Sequence, residues 1–194
     1  MEALADWVAG ELGDLPGPLV MVGHSLGGGV ALELALSHPH LVTGLVLLAT
    51  GARLPVPAHA LERVRVDFPA ECERVVRASW HDGPPELLGR GVAAMQSLGQ
   101  ATLTADYTAA AAFDARGRLD EVGVPALVVC GAEDPLTPVW LGEELARGLP
   151  LAQMAIIPGT AHVPQLEEPA AVDLLLAAYL ARLELTLGED PGAG

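Results

Sequence analysis

An α/β fold on a mostly parallel sheet of about four strands is predicted by three features of the 194-residue chain. Its short apolar runs are continuous, not alternating, as in strands covered on both faces. Segments of helical period separate those runs, and alternation of strand and helix builds parallel sheets through right-handed crossovers. Glycine and proline mark the points where the period changes.

Residues 3–12 place Leu4, Trp7, Val8 and Leu12 on one helical face, and the pattern stops at Gly13 and the Pro16-Gly17-Pro18 breaker. Residues 19–22 are an apolar run between turn signals. Residues 26–37 repeat Leu26, Val30 and Leu34 at helical spacing until His38-Pro39 ends them. Residues 45–49, 124–130 and 154–158 read as three further buried strands, with a helical segment at 140–149 between the last two. A final helix is expected from Pro169 to about residue 185. Between the second and third strands, residues 53–119 break the rhythm with helical segments and the Gly83-Pro84-Pro85 turn, and read as a helical insertion. Residues 1–52 and 120–187 then form the core, and residues 188–194 a flexible tail.

The chain is 51% hydrophobic and 18% charged, which excludes a disordered polymer. No uninterrupted apolar stretch reaches the roughly 20 residues that span a bilayer. The first residues carry acids where a secretory signal carries lysine or arginine, so a cytoplasmic location is expected. Two cysteines, Cys72 and Cys130, make neither a disulfide framework nor a metal motif, and no histidine pair shares a helical face at ligand spacing. No cofactor and no metal are expected. A net charge of −15 with only ten basic residues argues against nucleic acid or an anionic membrane as partner.

Gly23-His24-Ser25-Leu26-Gly27 matches G-x-S-x-G with a strand before it and a helix after it. Flanking glycines relieve the crowding of so sharp a turn, and the helix N-terminus behind the serine favours negative charge nearby. Taken alone, the pentapeptide also fits a tight turn or a phosphate loop. A serine needs a base, and the base an orienting acid. Asp134 follows the strand ending at Cys130, and His162 follows the strand at 154–158. All three candidates therefore sit at the C-terminal ends of parallel strands, where open α/β sheets bind ligands. An isolated His162 would also fit an ordinary loop histidine.

GHSLGG at 23–28, GAEDPLTP at 131–138 and GTAHVPQLEEP at 159–169 together resemble the α/β-hydrolase superfamily. The likeness is to its small serine esterases of the pimeloyl-ACP methyl ester carboxylesterase type, and to similar enol-lactonases and carbon-carbon bond hydrolases. It covers nearly the whole chain. The resemblance implies Ser25 as nucleophile, His162 as general base, Asp134 as the orienting acid with Glu133 as fallback, and the Leu26 amide as an oxyanion donor. Residues 53–119 resemble the family's helical cap. The serine speaks against the branches with aspartate at this position.

Members of this family carry strands before the one that leads into the nucleophile turn, and a loop among them supplies a second oxyanion amide. This chain begins at the helix before the strand at 19–22, so the resemblance implies an exposed sheet edge and a fragment of a longer gene product, or else a homodimer joined through that edge. The expected function is hydrolysis of a small-molecule ester or acyl substrate through an acyl-enzyme. The alternatives are a lactonase or carbon-carbon bond hydrolase, or a weak remnant serving as an interaction module. His24 is expected beside the triad as a structural or substrate-side neighbour. Trp80, Tyr107, Phe113, Leu136 and Val163 are the candidate pocket residues, with cap core as the competing role for the aromatics. His38, His40 and His59 are expected at the surface.

Overall fold

The structure, a computed structural model, describes residues 1–13 and 15–188. Of the tail expected at 188–194, Gly188 ends the last helix, and residues 189–194 lie outside the described residues. Four parallel strands, β1 (Leu19–His24), β2 (Val42–Leu48), β3 (Ala126–Gly131) and β4 (Ala152–Ile157), lie side by side in chain order. β2 starts three residues before the expected strand, because Val42 and Gly44 pair with Leu19 and Val20 of β1. β3 starts only after Pro125, whose ring leaves no N–H for the ladder. β4 ends before Pro158 for the same reason.

Helices cover both faces, as the continuously apolar strands require. On one face, α1 (Glu2–Leu12), α2 (Leu26–Ser37) and α7 (Val139–Gly148) pack on Leu45, Leu47, Val128 and Cys130. On the other, α9 (Pro169–Gly188) brings Val172, Tyr179 and Leu183 onto Val46, Leu48, Leu127 and Val129. Alternate residues of one strand thus serve opposite layers. The face of α1 differs from expectation: Ala5 is fully buried, Val8, Ala9 and Leu12 pack beside it, and Trp7 is exposed. Residues two positions apart on a helix point about 200° apart around its axis, so a contact centred on the small Ala5 turns Trp7 to solvent. β1 and β4 are the edges of the described sheet, and Val22 and Ile156 are exposed there. Among the described residues no helix is long and apolar enough to cross a membrane.

Between β2 and β3 run α3 (Ala60–Val66), α4 (Phe68–Ala78), α5 (Pro85–Ser97) and α6 (Gln100–Ala112). Val64, Cys72 and Leu103 form a separate small core there, with Phe68, Met95 and Tyr107 around it. Beside that core the Glu71 side chain is wholly buried. It accepts from Arg63 at 2.6 and 3.2 Å, from Arg74 at 2.8 and 2.7 Å, and from the Tyr107 hydroxyl at 3.1 Å. Burial pushes its carboxyl up, but the two guanidinium groups outweigh that and bring it to about 2. A carboxyl depressed on folding lends stability that is whole above its unfolded value and is lost as pH falls through the folded one. Glu71→Gln is expected to cost about 3 kcal/mol at pH 7, near the low end for breaking a buried pair because both arginines are partly exposed. Urea unfolding should also show a smaller loss of stability in the variant than in the wild type between about pH 4.3 and 2.

Candidate active site

Ser25 follows β1 and is the N-cap of α2, with φ 53° and ψ −119°. A serine held at positive φ stores about 1–3 kcal/mol of strain, which persists only where neighbours impose the conformation. They do so here. The Ser25 amide donates to the Leu48 carbonyl at 2.9 Å, and its carbonyl accepts from Thr50 Oγ1 at 2.8 Å and from the Gly28 amide at 3.0 Å. The motif's glycines differ in what they relieve. A Cβ on Gly23 would overlap the Gly27 carbonyl, and one on Gly28 would lie 2.5 Å from Thr50, but one on Gly27 would meet nothing within 4 Å. The crowding expected on both sides of Ser25 is therefore present at Gly23 and displaced by one residue to Gly28. Leu26 is the first residue of α2, so its amide has no acceptor within the helix.

The turns after β3 and β4 bring the other two candidates to Ser25. His162 Nε2 lies 2.8 Å from Ser25 Oγ, and its Nδ1 lies 2.8 Å from Asp134 Oδ2. Both His162 and Asp134 are buried. Asp134 also accepts from the Leu136 and Thr137 amides at 2.8 and 2.9 Å and from the Thr137 hydroxyl at 2.6 Å. Burial pushes its carboxyl up, but the bonds from His162 and Thr137 prevail and hold it below the ordinary carboxylate range. An ionised Asp134 only accepts, so Nδ1 carries the imidazole hydrogen and Nε2 offers a lone pair to the Ser25 hydroxyl. Glu133 is turned elsewhere: its Oε2 accepts from the Thr160 amide at 3.1 Å.

His24 does not reach Ser25 as a second base. Its Nε2 donates to the His162 carbonyl at 2.6 Å, and the two rings are 4.9 Å apart. Burial, and then the His162 ring, hold its imidazole below the usual histidine value, against the opposing pull of the bond to the His162 carbonyl.

A cavity of about 390 Å³ opens over these groups. Ser25, Leu26 and His162 border it below, Leu136 and Thr137 to one side, and α4–α6 above, where Val75, Leu103 and Tyr107 face it. Of the candidate pocket residues, His24, Tyr107 and Leu136 border this cavity. Trp80, Phe113 and Val163 are not among the residues that line it. Phe113 is buried in the main core against Gly29 of α2, because the chain descends there from α6 towards β3. Trp80 packs over Gly83 in the α4–α5 connection, where a Cβ would lie 2.8 Å from it. Val163 caps the short helix α8 (Pro164–Glu167).

Sequence reasoning missed Thr137, Ser79 and Glu167. Thr137 was legible in principle, since an aspartate followed by a hydroxyl three residues on is a common side-chain-capped turn. Ser79 acts through its main-chain carbonyl, which accepts from the His162 amide at 2.9 Å, and carries no signal in residue type. Among the described residues no three His, Cys, Asp or Glu side chains gather as a metal site would need.

Known proteins share this arrangement of chain. A model of the alpha/beta hydrolase family matches residues 1–173. A pimeloyl-[acyl-carrier protein] methyl ester esterase of Neisseria meningitidis serogroup A is 33% identical, over 99% of this chain and 64% of its own length. A thermophilic esterase from Thermogutta terrifontis superposes with a TM-score of 0.83 at 28% identity, covering 94% of this chain and 72% of that one. Est816, described as an N-acyl homoserine lactone degrading enzyme, does so with a TM-score of 0.80 at 28% identity, covering 91% and 73%.

Proposed function

The chain belongs to the alpha/beta hydrolase family, and from that membership we propose that it is a serine hydrolase cleaving a carboxylic ester of a small acyl substrate. The observation that carries the reading is the unbroken chain of contacts from Asp134 through His162 to Ser25, 2.8 Å at each step, beneath a largely apolar cavity. In this reading His162 Nε2 takes the Ser25 proton as Oγ attacks the ester carbonyl. The tetrahedral oxyanion is met by the Leu26 amide at the positive end of α2. His162 then gives its proton to the departing alcohol, leaving an acyl group on Ser25. Water, deprotonated by His162, releases the acid and restores the serine. Asp134 holds the Nδ1 hydrogen throughout and stabilises the transient imidazolium.

Residues 53–119 act as the cap of this site, and their apolar side chains set the acyl group that fits. A lactone is the second reading, supported by the likeness to the lactone-degrading Est816; a cyclic ester undergoes the same two steps with the alcohol still tethered.

The test is labelling of the purified chain with a fluorophosphonate, read by intact mass. One adduct per chain, absent in Ser25→Ala, is the expected result. A folded chain that takes no adduct sinks the proposal and favours an interaction module without hydrolytic chemistry.

A further inference from the structure

We propose that Glu167 is a positioning residue for His162, tying the loop that carries the imidazole to the α4–α5 connection of the overlying helical layer. The inference rests on the serine-hydrolase reading of the site. Residues 160–163 have left β4, so their backbone groups have no sheet partner and must find others. They find them in four different parts of the chain. Glu167 Oε2 accepts from the Ala161 amide at 2.7 Å, while its Oε1 accepts from the His81 amide at 2.6 Å. The His162 amide donates to the Ser79 carbonyl at 2.9 Å, and the His162 carbonyl accepts from His24. Glu133 holds the Thr160 amide.

Two of these links, the Glu167 bridge and the Ser79 carbonyl, join segment 79–81 to segment 161–162. Ser79 and Val75 also border the cavity. A continuous strut therefore runs from the cavity wall, through the end of α4, to the backbone that carries the base. The two contacts that the His162 ring makes, with Ser25 and Asp134, leave little tolerance, because reactive geometry is lost when a group moves by about 1 Å. Glu167 suits the task chemically. Its two carboxylate oxygens meet two amide donors from different segments, and charge-assisted bonds of this kind are short and strong.

Glu167→Gln is the discriminating variant. It is nearly isosteric, but a carboxamide has one acceptor oxygen and turns N–H donors towards the second amide. Expected is a fall in kcat of about 30-fold with KM within about two-fold, while a fluorophosphonate still labels close to one site per chain at a proportionately slower rate. Glu167→Asp keeps both acceptors on a shorter stem and is expected to fall between the two. Glu168→Gln, a change at an exposed neighbour, is expected to match the wild type. Wild-type rates in Glu167→Gln overturn the proposal, as does a loss confined to labelled fraction and melting temperature with the rate per labelled site unchanged. If Glu167→Gln does not fold, the per-site rate of Glu167→Asp decides in the same way. A wild-type chain without a Ser25 adduct overturns the hydrolase reading and this proposal with it, whereas normal rates in the variants overturn this proposal alone.

Discussion

Asp134→Asn is expected to lower kcat/KM for an activated ester such as a p-nitrophenyl acyl ester by about 10⁴-fold, the largest effect on rate of any change that leaves the Ser25 hydroxyl in place. The reason lies in which oxygen does what. Oδ1 accepts from two backbone amides, at Leu136 and Thr137, and Oδ2 receives the His162 Nδ1 hydrogen. An asparagine keeps its one oxygen where the two amides point. Its NH₂ then faces Nδ1, which must become the acceptor. The imidazole hydrogen moves to Nε2, and the ring confronts the Ser25 hydroxyl with a donor where a base is needed. Glu133 offers no relief, because its carboxylate already serves the Thr160 amide on the other side of the turn. Steady-state kinetics should place Glu133→Gln within about tenfold of the wild type, and comparable losses from the two substitutions would refute this division of roles. The carboxyl of Asp134 is held low, so the stability its bonds lend is whole above the unfolded carboxylate range and is lost as pH falls through the depressed value.

Gly131→Ala is expected to have the largest effect on stability, about 3 kcal/mol or more. Gly131 ends β3, and a Cβ there would overlap the Ala161 carbonyl oxygen and lie 2.6 Å from that of Thr160. Both obstacles are backbone, so no rotamer change relieves them. The methyl group would act as a wedge between the turn that carries Asp134 and the loop that carries His162. Activity in the surviving folded fraction should fall as well, since the wedge separates the two residues that must touch. Gly27→Ala is the matched control: a methyl there meets nothing within 4 Å, and residue 27 lies inside α2, where alanine is the better helix former. Its urea midpoint should equal or exceed that of the wild type, and equal midpoints for the two alanine variants would contradict the packing argument.

Ser25, Asp134 and His162 are readable from the chain because each depends on local signals that survive without a structure: an apolar run that ends, a turn residue, and a polar side chain just beyond it. Parallel strands end on one side of the sheet, so residues after successive strands converge whatever their distance in sequence. The aromatic candidates had no such guide. Trp80, Tyr107 and Phe113 are alike as large apolar residues in one helical stretch, and only the docking of that stretch puts Tyr107 against the cavity, Trp80 over Gly83 and Phe113 into the core. The face of α1 was missed for a similar reason. Periodicity counts large side chains, but the helix approaches α2 through the small Ala5.

By itself, then, the sequence determined the order of strands and helices and the sites of the turns, with strand ends displaced by one or two residues, because burial on both faces and backbone sterics act within a few residues. What only the tertiary structure decided are the contacts between distant segments: Asp134 and not Glu133 against His162, His24 bound to the His162 carbonyl instead of to Ser25, and the joining of Ser79 and His81 to the His162 loop. Each depends on where one backbone lies against another, to within a hydrogen bond's length, and that is a property of the packed chain with no trace in residue type.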